Sequence, residues 1–86
     1  MIHDLKLYSE NFGRMKSGSK LREYRLYDEK RRLINIGDTI RFIKLPEKKD
    51  YLYADVVGIE VLKIGMIAIN NILRRISKTD MALYNM

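Results

Sequence analysis

The segment Gly18-Ser19-Lys20-Leu21-Arg22-Glu23-Tyr24-Arg25 concentrates the side chains of this 86-residue chain that could do chemistry. Arg25 can offer a planar fork of N–H donors to a phosphate or a base edge, and Lys20 a compact point charge. Glu23 can orient either cation or accept a hydrogen bond from a base amine. From Lys20 to Tyr27 the residues read as a strand, in which Leu21, Glu23, Arg25 and Tyr27 share one face and Lys20, Arg22, Tyr24 and Leu26 the other. Glu23 and Arg25 are then neighbours on a face that also carries apolar groups, where either ion alone would be costly. The competing reading is a salt bridge that only holds geometry, with Lys20 exposed.

The surroundings of the segment are strongly basic. The chain carries a formal charge of +6, and Arg14 to Arg32 contains eight basic residues against three acidic ones. Such a patch, with Arg31 and Arg32 at its end, attracts polyanions through counterion release and favours nucleic acid as partner, although a solvated basic face would look the same. With no cysteine and a single histidine, His3, the chain cannot build a disulfide framework or a thiolate metal site, and has little material for a Ser-His dyad. No metal or cofactor is expected. Tyr24, Tyr27, Tyr51 and Tyr53 could stack on unpaired bases, but their places in β-prone runs favour cross-strand packing.

The elements that must position these residues follow from the pattern on either side. Ile2, Leu5 and Leu7 suggest a first strand, and Ser9 supplies a side-chain acceptor for a helix start with Phe12 and Met15 on one face. Gly18 can adopt the left-handed conformation that ends such a helix. Asp28 to Arg32 is a charged connection, and Leu33 to Ile36 a brief extended piece. Ile36-Gly37-Asp38 turns the chain into a strand at Thr39 to Ile43 with Ile40 and Phe42 inward. Pro46 to Asp50 is a polar turn, and Tyr51 to Val61 a long strand in which Gly58 marks a bulge or bend. One short helix among turn-linked strands indicates a small barrel-like α+β domain spanning residues 1–86.

Gly18, Lys20, Glu23 and Arg25 fill the four defined positions of G-x-K-x-x-E-x-R, the signature of the ASCH domain, a PUA-like β-barrel family that the chain resembles over about Ile2 to Leu62. The flanking "LYDEKRRLINIGDTIRFI" and "LYADVVGIEVL" fit the same family in order and spacing. The resemblance implies a cleft between barrel and helix, lined by the motif, that receives RNA or a nucleotide. Lys20, Arg22, Glu23, Arg25, Arg31 and Arg32 are the expected contacts, with Gly18 as the motif glycine. The alternative is enzymatic. One branch of similar proteins hydrolyses acetylated cytidine with a lysine, a threonine three residues later and a distant glutamate, and some ASCH proteins are ribonucleases. Lys20 matches the lysine, Glu23 stands where the threonine would be and would have to act as a general base, and Glu60 is the candidate distant glutamate. Lys20 and Glu23 are therefore the candidate catalytic residues. Lacking the hydroxyl, the chain reads as a binding module ahead of an enzyme.

Residues 63–86 depart from the family pattern. Ile64, Ile67, Ile72, Leu73 and Ile76 are compatible with a carboxyl-terminal helix without a clean polar face. A shifted reading frame over Ile64 to Asn85, under A/T-rich codons, yields a sequence closer to the family's usual segment, which suggests a frameshifted or truncated tail and a barrel lacking its closing strand. An unpaired barrel edge would invite a homodimer. Ile64 to Ile76 is too short to span a membrane, and Met1 to Lys6 lacks the apolar run of a secretory signal, so a cytoplasmic protein without membrane contact is expected.

Overall fold

Five strands, β1 (Ile2–Tyr8), β2 (Arg22–Leu26), β3 (Thr39–Leu45), β4 (Tyr51–Val61) and β5 (Met66–Leu73), form one sheet in the order β1-β3-β4-β5-β2. This is a computed structural model, and it describes residues 1–18 and 21–74. The sheet curls into a half-barrel whose inner face packs against α1 (Ser9–Lys16), the one α-helix among the described residues, inserted directly after β1. Every neighbouring pair is antiparallel except β1 with β3, which run parallel in a register that places Leu5 beside Phe42.

Strict alternation explains the core. Leu5 and Leu7 of β1, Ile40 and Phe42 of β3, Ala54 and Val56 of β4, and Ile67 and Ile69 of β5 all point inward and are buried. Phe12 and Met15, three apart on α1, close over them, and Ile34 joins from the β2–β3 connection. The helix begins at Ser9 itself, with Tyr8 in the cap position and no side-chain cap bond, so Ser9 does not serve as the capping acceptor. Its end is built as expected: Gly18 has φ +81°, and the N–H groups of Ser17 and Gly18 return to the carbonyls of Gly13 and Met15.

Gly58 sits at a register shift in the β4–β5 ladder, where Val57 bulges out. A Cβ added there would meet Asn70 Nδ2 at 3.1 Å, so the glycine also allows the close approach of that side chain. The Leu33 to Ile36 stretch forms no strand, although Ile34 itself is extended. Its start is instead a 3-10 turn, Arg31–Leu33, because Asp28 captures the Arg31 N–H and forces a tight bend.

The helix expected over Ile64 to Ile76 is corrected. Met66–Leu73 is a strand in the interior of the sheet, hydrogen-bonded to β4 on one side and β2 on the other. Ile67, Ile69 and Leu73 repeat with a period of two, while Ile69, Ile72 and Leu73 also suit one of 3.6, and the two waiting strand edges select the former. Ile76 and the rest of the expected tail lie outside the described residues. Among the described residues the two edge strands are β1 and β2, and no helix is long and apolar enough to cross a membrane.

The sole histidine anchors the opening of β1 and β3. His3 is buried, and its Nε2 meets Asp38 Oδ2 at 2.8 Å. The same carboxylate accepts the Asn35 N–H at 3.0 Å and the amino-terminal ammonium at 3.5 Å. The His3 hydrogen bond leads in lowering the Asp38 pKa to about 2, followed by the Asn35 amide.

Candidate nucleic-acid interface

The motif strand β2 pairs only with β5, opposite Ile69 at Glu23 and opposite Ile67 at Arg25. Those partners are inward, so Glu23 and Arg25 are inward too, at the rim of the half-barrel. The Glu23 side chain is only 8% exposed and that of Arg25 20%. Arg25 Nε donates to Glu23 Oε1 at 3.0 Å, and its Nη2 donates to the carbonyl oxygen of Lys6 at 2.5 Å. Arg25 therefore bridges from edge strand β2 to edge strand β1, held in place by its carboxylate neighbour. Its Nη1 amino group has no partner among the described residues.

Arg22 occupies the other face. Its Nε donates to the Tyr24 hydroxyl at 2.9 Å, Nη1 to Asn70 Oδ1 at 3.1 Å and Nη2 to Glu60 Oε2 at 2.7 Å. The Glu60 hydrogen bond is the main reason its pKa rises. The strand alternation foretold this separation, and the structure does not bring Arg22 together with Arg25. Glu60 goes with Arg22 to the outer face, where it cannot join Glu23; the enzymatic alternative thus loses its candidate distant glutamate. Lys20 lies outside the described residues.

Arg31 and Arg32 follow on the tight turn. Asp28 Oδ1 accepts the Arg31 N–H at 3.0 Å and Oδ2 accepts Arg31 Nη1 at 2.8 Å, while the Arg32 N–H donates to the Asp28 carbonyl at 3.0 Å. The Arg31 amide is the largest cause holding the Asp28 carboxyl below its ordinary range. Arg32 is exposed and stacks on Tyr27, 5.2 Å from the ring centroid. Tyr27 packs against the core, two residues beyond Arg25 on the same face. The exposed Tyr24 and Tyr51 do not stand beside Arg25; both are covered by arginines of the outer face.

One site residue escaped the sequence reading. Asn71, 2% exposed, is inward on β5, diagonal to Glu23 across the β2–β5 ladder. Its Nδ2 donates to the Ile69 carbonyl at 3.1 Å, which fixes the amide orientation, and its Oδ1 is buried without a hydrogen-bond partner. The signal was the Asn70-Asn71 pair within an apolar run, legible only once that run is read as a strand.

The sequence profile of the ASCH domain matches residues 5–70, from the middle of β1 into β5. The chain belongs to the ASCH domain family. No curated protein matches the chain. Among solved structures, the crystal structure of hypothetical protein PH0355 is similar, with a TM-score of 0.72 and 26% identity over 86% of this chain and the whole of the other. In this ASCH domain the four motif positions serve distinct local purposes where they are described. Gly18 turns the chain out of α1, Glu23 is the buried anchor, and Arg25 is the half-open cation that it holds.

Proposed function

We propose that this ASCH domain binds single-stranded RNA or a nucleotide at the inner rim of β2, RNA binding being the activity with which ASCH domains are commonly linked. The observation that carries the reading is the state of Arg25. Two hydrogen bonds fix its guanidinium, one to a buried carboxylate and one to a backbone carbonyl of the opposite edge, while Nη1 meets no acceptor among the described residues on a side chain that is 20% exposed. A pre-positioned guanidinium loses little freedom when it grips a phosphate or a base edge. Glu23 orients Arg25, Lys20 adds a further positive charge to the motif, and Arg31 and Arg32 extend the basic character along the chain. The excess of basic side chains supplies the longer-range attraction.

The test is a fluorescence titration with labelled single-stranded RNA across a range of salt concentrations, run beside a product assay on acetylcytidine. Binding is expected to weaken steeply as salt rises. Arg25→Ala should lower affinity about tenfold or more, the loss of a charge-assisted hydrogen bond, whereas Arg25→Lys should recover part of it. No product is expected. Absence of binding at low salt would overturn the reading, and turnover lost in Lys20→Ala would replace it with the hydrolytic one.

A further inference from the structure

Three arginine–tyrosine stacks stand among the described residues: Arg22 on Tyr24 at 5.3 Å, Arg41 on Tyr51 at 5.2 Å and Arg32 on Tyr27 at 5.2 Å. A guanidinium stacked on a ring uses its face and leaves its edge of N–H donors for other partners. The edge of Arg22 is filled by Tyr24, Asn70 and Glu60. That of Arg41 is filled by both carboxylate oxygens of Asp4, at 2.8 Å each. The side-chain edge of Arg32 meets no acceptor among the described residues, and its charge is balanced by no carboxylate there.

Arg32 also differs in how it is held. Its ring partner Tyr27 is packed against the core, and the Tyr27 N–H continues the β2–β5 ladder to the Gly65 carbonyl at 2.9 Å. The turn that carries Arg32 is clamped by Asp28, which takes the backbone N–H groups of both Arg31 and Arg32 and the guanidinium of Arg31. Arg31 is thereby engaged within the turn, with its side chain only 20% exposed. Along the strand, Tyr27 lies about 7 Å beyond Arg25 on the same side.

We infer that Tyr27 and Arg32 form a second phosphate subsite, so that the ligand is an oligonucleotide strand spanning two contact points and not a free nucleoside. The inference rests on the RNA-binding reading of the Arg25 rim. Arg32 keeps its face on Tyr27 while its fork closes on a phosphate bidentately, a geometry that a lysine cannot copy. Arg31 is a positioning residue that sets the turn through Asp28.

Binding of uridine, uridine monophosphate and a fluorescein-labelled octauridylate to wild type, Arg32→Ala, Arg32→Lys and Arg31→Ala tests this. For wild type, the octamer should bind at least tenfold more tightly than the monophosphate, and uridine more weakly than either. Arg32→Ala should weaken octamer binding about fivefold and make the slope of log affinity against log salt shallower by about 0.7, the value for one phosphate contact on a single strand. Its monophosphate affinity should stay at the wild-type value. Arg32→Lys should retain the slope and lose part of the affinity. Arg31→Ala should lower affinity while keeping the slope, because it removes order and not a phosphate contact. If Arg32→Ala leaves both octamer affinity and slope unchanged, the second subsite is overturned while the Arg25 rim stands. If wild type binds none of the probes, both fall.

Discussion

On the outer face of β2, Arg22 directs three nitrogens at three neighbours, and its carboxylate partner Glu60 is more than half exposed. On the inner face, Arg25 is paired with a carboxylate that is only 8% exposed, and its Nη1 has no partner among the described residues. The two arginines belong to the same five-residue strand and sit three positions apart. What separates them is the pleat: one face of β2 looks into a core lined by Ile67 and Ile69, the other toward solvent. A salt bridge on the dry side is costly to half-remove, and one on the wet side is not. A basic motif on a strand is therefore not one patch but two, with different energetics and different availability.

The largest effect expected from this difference is on the dry side. Glu23→Ala would leave the Arg25 guanidinium partly buried beside apolar side chains without its carboxylate, and should destabilise the fold by about 3–5 kcal/mol. Urea unfolding followed by circular dichroism measures it. A loss below 1 kcal/mol would place the Glu23–Arg25 pair in the same class as the outer one and erase the distinction between the faces.

A second contrast lies between the Asp38 cluster and the motif. The Asp38 pKa is about 2 in the folded chain, against 3.8 ordinarily. Between those values the unfolded chain binds more protons, so the stability contributed by Asp38 is complete above about pH 4 and is lost as pH falls toward 2. Thermal unfolding of wild type and Asp38→Asn at pH 5, 4, 3 and 2 should show the wild-type advantage shrinking across that window. A constant difference between the two at all four values would show that Asp38 acts by geometry alone.

Much of this arrangement was legible in the residues. Alternation from Lys20 to Tyr27 assigned Glu23 and Arg25 to one face and Arg22 to the other, and Gly58 and Gly18 marked the bulge and the helix end where they occur. Local pattern determines such features, because a side-chain period or a positive φ depends on a few neighbouring residues. The failures were non-local. Met66–Leu73 carries spacings that suit helix and strand alike, and only the presence of β4 and β2 on either side decides between them. Asn71 was hidden with it. The Lys6 carbonyl that receives Arg25 could not be read from any spacing, since curling of the sheet alone brings β1 to β2. The tight turn at Arg31 depended on one carboxylate, Asp28, reaching forward three residues.

Asn71 offers a gentler probe of the dry face. Asn71→Leu keeps roughly the same volume and removes a buried acceptor that has no donor, so stability should rise by about 1 kcal/mol. Chemical denaturation gives the sign directly, and RNA titration of the same variant shows whether the amide contributes to the rim. A fall in stability would mean that the Nδ2 bond to the Ile69 carbonyl outweighs the uncompensated oxygen.

The smallest effect is expected on the wet side. Glu60→Ala removes the carboxylate from Arg22, but both side chains are open to water and Arg22 retains Tyr24 and Asn70 as acceptors. A loss of no more than about 1 kcal/mol should result, because solvent screens the pair and rehydrates the guanidinium. RNA affinity should change by less than twofold, since β2 stands between this cluster and the rim that holds Arg25. Taken with Glu23→Ala, the variant compares two arginine–glutamate pairs whose arginines share one strand, where charge is alike and burial differs. If Glu60→Ala weakens RNA binding as strongly as Arg25→Ala does, the outer face carries the ligand, and the dry pair on the inner face is the one that merely holds the sheet together.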